Sequence, residues 1–173
     1  MPLKDILIPR AGVLFVGINP SLHSERAGHH FAGPGNPFWR LMHAAKLIPE
    51  ALTFAEDRRL AEFGLALTNL CPRATRAAAE LLPDEIGRGK RALARKIKRV
   101  QPAVVAFVGV SIYRQYFGKS AAAGAGLKAQ TICGARVFVL PNPSGLNASF
   151  PGFKDKLIWF QRLRKFIDAK SSD

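Results

Sequence analysis

Four apolar runs rich in β-branched residues punctuate the chain: Val13 to Ile18, Leu65 to Leu70, Ala103 to Val108 and Val137 to Leu140. None alternates cleanly between apolar and polar positions, so each reads as a strand covered on both faces. Between the runs the spacing turns helical. Phe38, Leu41, Met42 and Ala45 recur at three- and four-residue intervals, as do Leu93, Ile97 and Val100 in a stretch otherwise mostly Lys and Arg. Near the end, Leu157, Phe160, Leu163 and Ile167 predict a helix from about Phe153 to Ile167.

Strands alternating with helices predict a three-layer α/β fold, with a central, mostly parallel four-stranded sheet and helices on both faces. A single domain over residues 1–173 is expected, ending in a short polar tail at Lys170 to Asp173. Such sheets bind ligands outside the carboxyl ends of their strands. "GINPS" (17–21) leaves the first strand there and "PNPSGLN" (141–147) leaves the last, so the two loops are expected to share one rim. A third loop of similar character, "GHHFAGPGN", spans residues 28–36. Gly, Pro and Asn are ordinary turn residues, and turn chemistry alone accounts for each loop. Three of them at strand ends, with Phe31 in the middle one, point further, to a pocket for a flat polar ligand: a ring to stack on, with amides as donors and acceptors.

Charge adds a partner. The chain has 26 Lys and Arg against 12 acidic residues, a formal net charge of +14. A solvated cationic surface is one reading; a polyanion such as nucleic acid is the sharper one, because neutralising phosphates releases counterions. At 173 residues the chain can bury roughly 70% of its unfolded surface. No apolar run approaches the ~20 residues that span a bilayer, and Met1 to Asp5 lacks the order of a signal peptide. An intracellular protein, cytoplasmic or nucleoid-associated and not secreted, is expected. Cys71 and Cys133 form no C-x-x-C pair, and His23, His29, His30 and His43 show no usual ligand spacing. Buried reduced thiols, no metal and no cofactor are the expectation.

Several chemistries find no motif. There is no G-x-x-x-x-G-K-[ST] loop and no G-x-S-x-G elbow, and Gly124-x-Gly126 follows an alanine-rich loop rather than a strand. A catalytically silent nucleic-acid-binding module and a doubly wound nucleotide-binding enzyme remain alternatives on these grounds.

Four stretches, "GINPSL", "GHHFAGPGNPFW", "LTNL" with "RAT" just after it, and "LPNPSGL", occur in the order typical of one family. Over about residues 13 to 147 the chain resembles the mismatch-specific uracil/thymine-DNA glycosylases of the uracil-DNA glycosylase superfamily. The resemblance implies a monofunctional glycosylase that flips a uracil, or another mismatched or damaged pyrimidine, out of double-stranded DNA and hydrolyses its N-glycosidic bond. Thymine would be a poor substrate. It implies that Asn19 is the catalytic residue, positioning the attacking water. Phe31 would stack on the base, with Gly17, the Ile18 backbone and His30 lining the pocket and Asn69 contacting the polar edge of the pyrimidine. Leu146 would be the wedge that fills the vacated stack, beside Asn142, Pro143, Ser144 and Gly145.

Asn142 stands where faster relatives are thought to carry a histidine, which implies a slow enzyme. Ser21 replaces the family's usual glycine and Ala148 stands near an arginine of some relatives, which implies a shifted base preference and weaker reading of the opposite guanine. No lysine nucleophile is required; Lys119 and Lys128 are expected to be solvated or phosphate-facing in a loop. A monomer acting on duplex DNA, without a membrane, completes the expectation.

Overall fold

The computed structural model describes residues 2–144 and 147–171. Five strands form one sheet in the order β2-β1-β3-β5-β4. They are β1 (Val13–Gly17), β2 (Leu65–Asn69), β3 (Val104–Val108), β4 (Gly126–Ile132) and β5 (Ala135–Leu140). The β2-β1-β3-β5 block is parallel, and β4 pairs antiparallel with β5 at the edge. Five helices accompany them: α1 (Leu22–Ala27), α2 (Phe38–Ala44), α3 (Pro83–Val100), α4 (Val110–Phe117) and α5 (Phe153–Ser171). None is long and apolar enough to cross a membrane.

The strand runs do not alternate in polarity because both faces are covered. Val13 and Phe15 join Leu65, Leu67, Val104 and Ala106 under α2 and α5, where Phe38, Trp39, Leu41, Phe160 and Leu163 are buried. Their neighbours Leu14 and Val16 point the other way and join Ala66, Val105 and Phe107 under α3 and α4, with Leu93, Ile97, Ile112 and Tyr113. Each fully buried Leu, Ile or Phe contributes about 1.5–3 kcal/mol, so both faces bind their helices firmly. In α3 the apolar stripe meets the sheet closely enough that Gly89 is required. A Cβ there would lie 2.2 Å from the Leu70 carbonyl oxygen.

The mostly parallel sheet with helices on both faces is as expected, with four corrections. The sheet has five strands, not four. Strand β4 escapes the apolar pattern because it is a two-faced edge strand: Lys128 and Ile132 are buried while Leu127, Ala129 and Thr131 are exposed. It returns to β5 through Cys133-Gly134, both at positive φ (49° and 85°), the geometry of a two-residue hairpin turn. Cys133 is consequently exposed, and only Cys71 is a buried thiol. Lys128 is a strand residue, not a solvated loop lysine: its Nζ donates to the Ala122 carbonyl at 3.2 Å and lies 5.1 Å from the centre of the Tyr113 ring. Lastly, α5 runs through Lys170 and Ser171, so half of the expected tail is helical.

Candidate active site at the carboxyl rim of the sheet

The chain switches direction across the sheet between β1 and β3: β2 lies on one side of β1 and β3 on the other. A crevice forms above such a point because the following connections diverge. Here it is a cavity of about 350 Å³. From β1 and its loop come Gly17, Ile18 and Asn19; from the second loop, His30 and Phe31; from β2, Asn69; and from the loop after β5, Asn142 and Ser144. Pro143 is buried behind this lining. Gly145 and Leu146, the expected wedge, lie outside the described residues.

The loop after β1 is laced to the loop after β2. Leu70 N–H donates to the Gly17 carbonyl (2.8 Å), Cys71 N–H to Ile18 (2.9 Å) and Thr75 N–H to Pro20 (3.2 Å). Asn19 is gripped by the same segment. Its Nδ2 donates to the Arg73 carbonyl oxygen (2.9 Å) and to Thr75 Oγ1 (2.7 Å). A backbone carbonyl only accepts, so the nitrogen side of the amide is set by its partner. Thr75 sends its own hydroxyl proton to the Ala77 carbonyl (2.8 Å) and receives from Asn19. Asn19 Oδ1 has no partner in the protein, and it is not sealed, since among the described residues the only sealed side-chain atom lacking a hydrogen bond is Arg114 Nε. The open space that Asn19 borders is the cavity.

Arg73 is itself pinned. Its guanidinium reaches Glu85 through Nε (2.6 Å) and Nη2 (2.9 Å) and donates to the Glu80 carbonyl (3.0 Å). The Arg73 fork, aided by the Leu82 N–H, pulls the Glu85 carboxyl down to about 2. The grip on Asn19 thus runs back to the start of α3.

Phe31 forms the opposite wall. Its backbone sits at φ 52°, a left-handed conformation that costs a bulky residue about 1–2 kcal/mol. Two sets of contacts hold it there. The ring stacks on Phe38 (3.9 Å between centres, 20° between planes), which packs edge-on against Phe15 in the core. The preceding residue is anchored by a buried carboxylate: Asp57 accepts from the His30 N–H (2.8 Å) through one oxygen and meets His29 Nδ1 (3.0 Å) through the other. Gly17 leaves the room these walls need, because a Cβ there would stand 2.6 Å from Asn69 Oδ1 and 3.7 Å from the Phe31 ring.

Asn69 makes no side-chain hydrogen bond within the protein, so its amide is available to a ligand as both donor and acceptor. Ser21, by contrast, is committed: its Oγ accepts from Ser24 N–H (3.0 Å), capping α1, and donates to Ser24 Oγ (3.1 Å). It brings bulk to the rim but no spare hydrogen bond. Four contributors carry no apolar or turn signature that would flag them: the Arg73 carbonyl, Thr75, Asp57 and the exposed, cavity-lining Arg76. The "RAT" stretch was visible in the sequence, but nothing local says that it folds against Asn19.

An aromatic wall, a clasped amide and a second amide with no partner in the protein thus line one cavity, of a size that admits a nucleobase, at the switch point of the doubly covered sheet of an α/β protein. The model of the Uracil DNA glycosylase superfamily matches residues 5–164, and the chain belongs to that superfamily. The solution NMR structure of a candidate uracil DNA glycosylase from Methanosarcina acetivorans has the same fold. It aligns with a TM-score of 0.61 over 94% of this chain and 97% of that one, at 20% identity.

Proposed function

We propose that the protein is a monofunctional DNA glycosylase of the mismatch-specific type, which removes uracil from double-stranded DNA by base flipping and leaves the abasic site uncut. One observation carries the reading: the Asn19 amide is clasped through its nitrogen, which turns its oxygen into the slot walled by Phe31. An amide takes no proton near neutral pH. Asn19 therefore acts by orienting water, not as a base. The glycosidic bond breaks first, the sugar gains oxocarbenium character, and the held water adds to it. The charge growing on the departing base is stabilised by hydrogen bonds from the pocket, for which the Asn69 Nδ2 donor is the available group.

A base within a duplex is out of reach and costs a few kcal/mol to extrude, least when mispaired. That difference supplies selectivity for mismatches without direct reading of the opposite base. The exposed Arg76 at the rim suits a phosphate contact. Asn142 offers no proton donor comparable to an imidazolium, which fits a slow enzyme. The 5-methyl of thymine meets the Ser21 and Ile18 side of the mouth, so uracil is preferred.

The test is a uracil–guanine duplex incubated with the protein and then treated with alkali, which cuts at any abasic site. Scission at the uracil is expected with the native protein. An intact strand together with salt-sensitive binding would assign the protein to DNA binding alone. Borohydride should trap no covalent adduct, because no lysine attacks the sugar.

A further inference from the structure

His30 differs from the other polar groups in the slot because its ring is both deeply buried, at 3% exposure, and half-satisfied. Its Nε2 lies 2.8 Å from the Lys4 carbonyl oxygen. A carbonyl only accepts, so Nε2 carries the proton. In the neutral ring the other nitrogen, Nδ1, must then be a bare lone pair. Burial holds the ring neutral by pushing its pKa below 6.5, against the opposing pull of the Lys4 carbonyl, Asp57 and Asp5 and with a lesser push from Arg58. Nδ1 has no partner in the protein and is not among the sealed atoms. The open space that His30 borders is the cavity.

We infer that His30 Nδ1 is a built-in hydrogen-bond acceptor that selects bases carrying a ring N–H beside a carbonyl, as uracil does, over bases that present a lone pair at that edge, as cytosine does. This deepens the proposed glycosylase function and rests on it. Three side chains that line the cavity hold an acceptor with no partner in the protein, Asn19 Oδ1, His30 Nδ1 and Asn69 Oδ1, and only the last belongs to a group that can turn to present a donor instead. An Asn alone would suit either edge after a flip of its amide. The histidine cannot flip without giving up Lys4, so it breaks the symmetry. The ring is held in place by its neighbours: Asp57 grips its backbone N–H, and Trp39 Nε1 donates to its carbonyl at 3.1 Å.

The experiment compares single-turnover release of uracil and of 3-deazauracil, in which the ring N–H is a C–H, from otherwise identical duplexes. The readout is the ratio of the two rates, which a general loss of activity leaves unchanged. Native protein is expected to prefer uracil. His30→Gln keeps a donor for Lys4 and loses the Nδ1 acceptor, and should compress the ratio on the order of tenfold, the worth of one hydrogen bond. His30→Asn keeps an acceptor near the Nδ1 position and should retain most of the preference. Without any substitution, the native ratio should be full at neutral pH and hold as the pH drops past 6.5, because burial keeps the ring neutral below the ordinary histidine range. An unchanged ratio in His30→Gln overturns the inference while leaving the glycosylase reading standing. Failure of the native protein to release uracil overturns both.

Discussion

Two loops of this protein carry the same tripeptide, Asn-Pro-Ser, at the carboxyl ends of parallel strands: 19–21 after β1 and 142–144 after β5. Their asparagines do opposite things. Asn19 reaches 54 and 56 residues along the chain, donates through Nδ2 to Arg73 and Thr75, and leaves its oxygen open to the cavity. Asn142 is exposed and bonds locally: its Oδ1 accepts from the Ser144 N–H two residues on (2.9 Å), an Asx turn. Ser21, in the same loop as Asn19, is committed to capping α1. The reason is what lies alongside. The β1 loop runs beside the loop after β2, which presents the Arg73 carbonyl and the Thr75 hydroxyl to Asn19. Asn142 in the β5 loop is bonded by residues of its own loop: the Ser144 N–H, and Asn147, whose Nδ2 donates to the Asn142 carbonyl at 3.3 Å. An identical local sequence gives an amide held by a distant loop in one place and a local turn in the other.

That contrast should survive substitution. Asn19→Ala is expected to lower the single-turnover rate on uracil–guanine duplex by about 10²–10³-fold, as for loss of one positioned polar group. Asn142→Ala should cost about tenfold or less, because its carboxamide oxygen is already engaged. Equal losses at the two sites would erase the distinction. Gly17→Ala comes next: the new methyl drives Asn69 Oδ1 from its 2.6 Å approach, and misplacing a pocket amide can cost up to about 10²-fold in rate. Thermal unfolding should move little, since the displaced group is the end of a flexible side chain.

Thr75→Val keeps the shape of the clasp but removes one of the two acceptors on Asn19, for an expected loss of about tenfold in rate with duplex affinity retained. Thr75→Ser should restore most of it. The smallest effect is reserved for Glu85→Gln, which loosens the Arg73 fork from outside the cavity. At neutral pH the rate should stay within about threefold, because exposed ion pairs contribute little. Acid unfolding followed by circular dichroism is the sharper probe. A carboxyl held at about 2 instead of its ordinary 4.5 stabilises the fold above pH 4.5, and that contribution fades as the pH falls through this interval. The variant should lack this part of the acid dependence.

The layers were readable from the four apolar runs because strands buried on both faces cannot carry polar residues at alternate positions. Strand β4 was not, since Lys128 occupies an inward position that only the Tyr113 ring and the Ala122 carbonyl make tolerable. The rim residues announced themselves because three loops rich in Gly, Asn, Pro and His, each explicable as a turn by itself, recur at strand ends. Their anchors did not. Asp57 looks like any acidic residue of a polar segment, yet it is 2% exposed and holds the loop that carries Phe31.

By itself, then, the sequence determined the layered sheet and which strand ends would carry polar loops, because burial on two faces and helical spacing are periodic and local. Which asparagine receives its orientation from a neighbouring loop, and which nitrogen of His30 keeps a lone pair, depended on carbonyl groups of Arg73 and Lys4 brought up from distant parts of the chain. Only the tertiary structure could decide those, because a hydrogen bond acts over about 3 Å in space and has no fixed separation along the sequence.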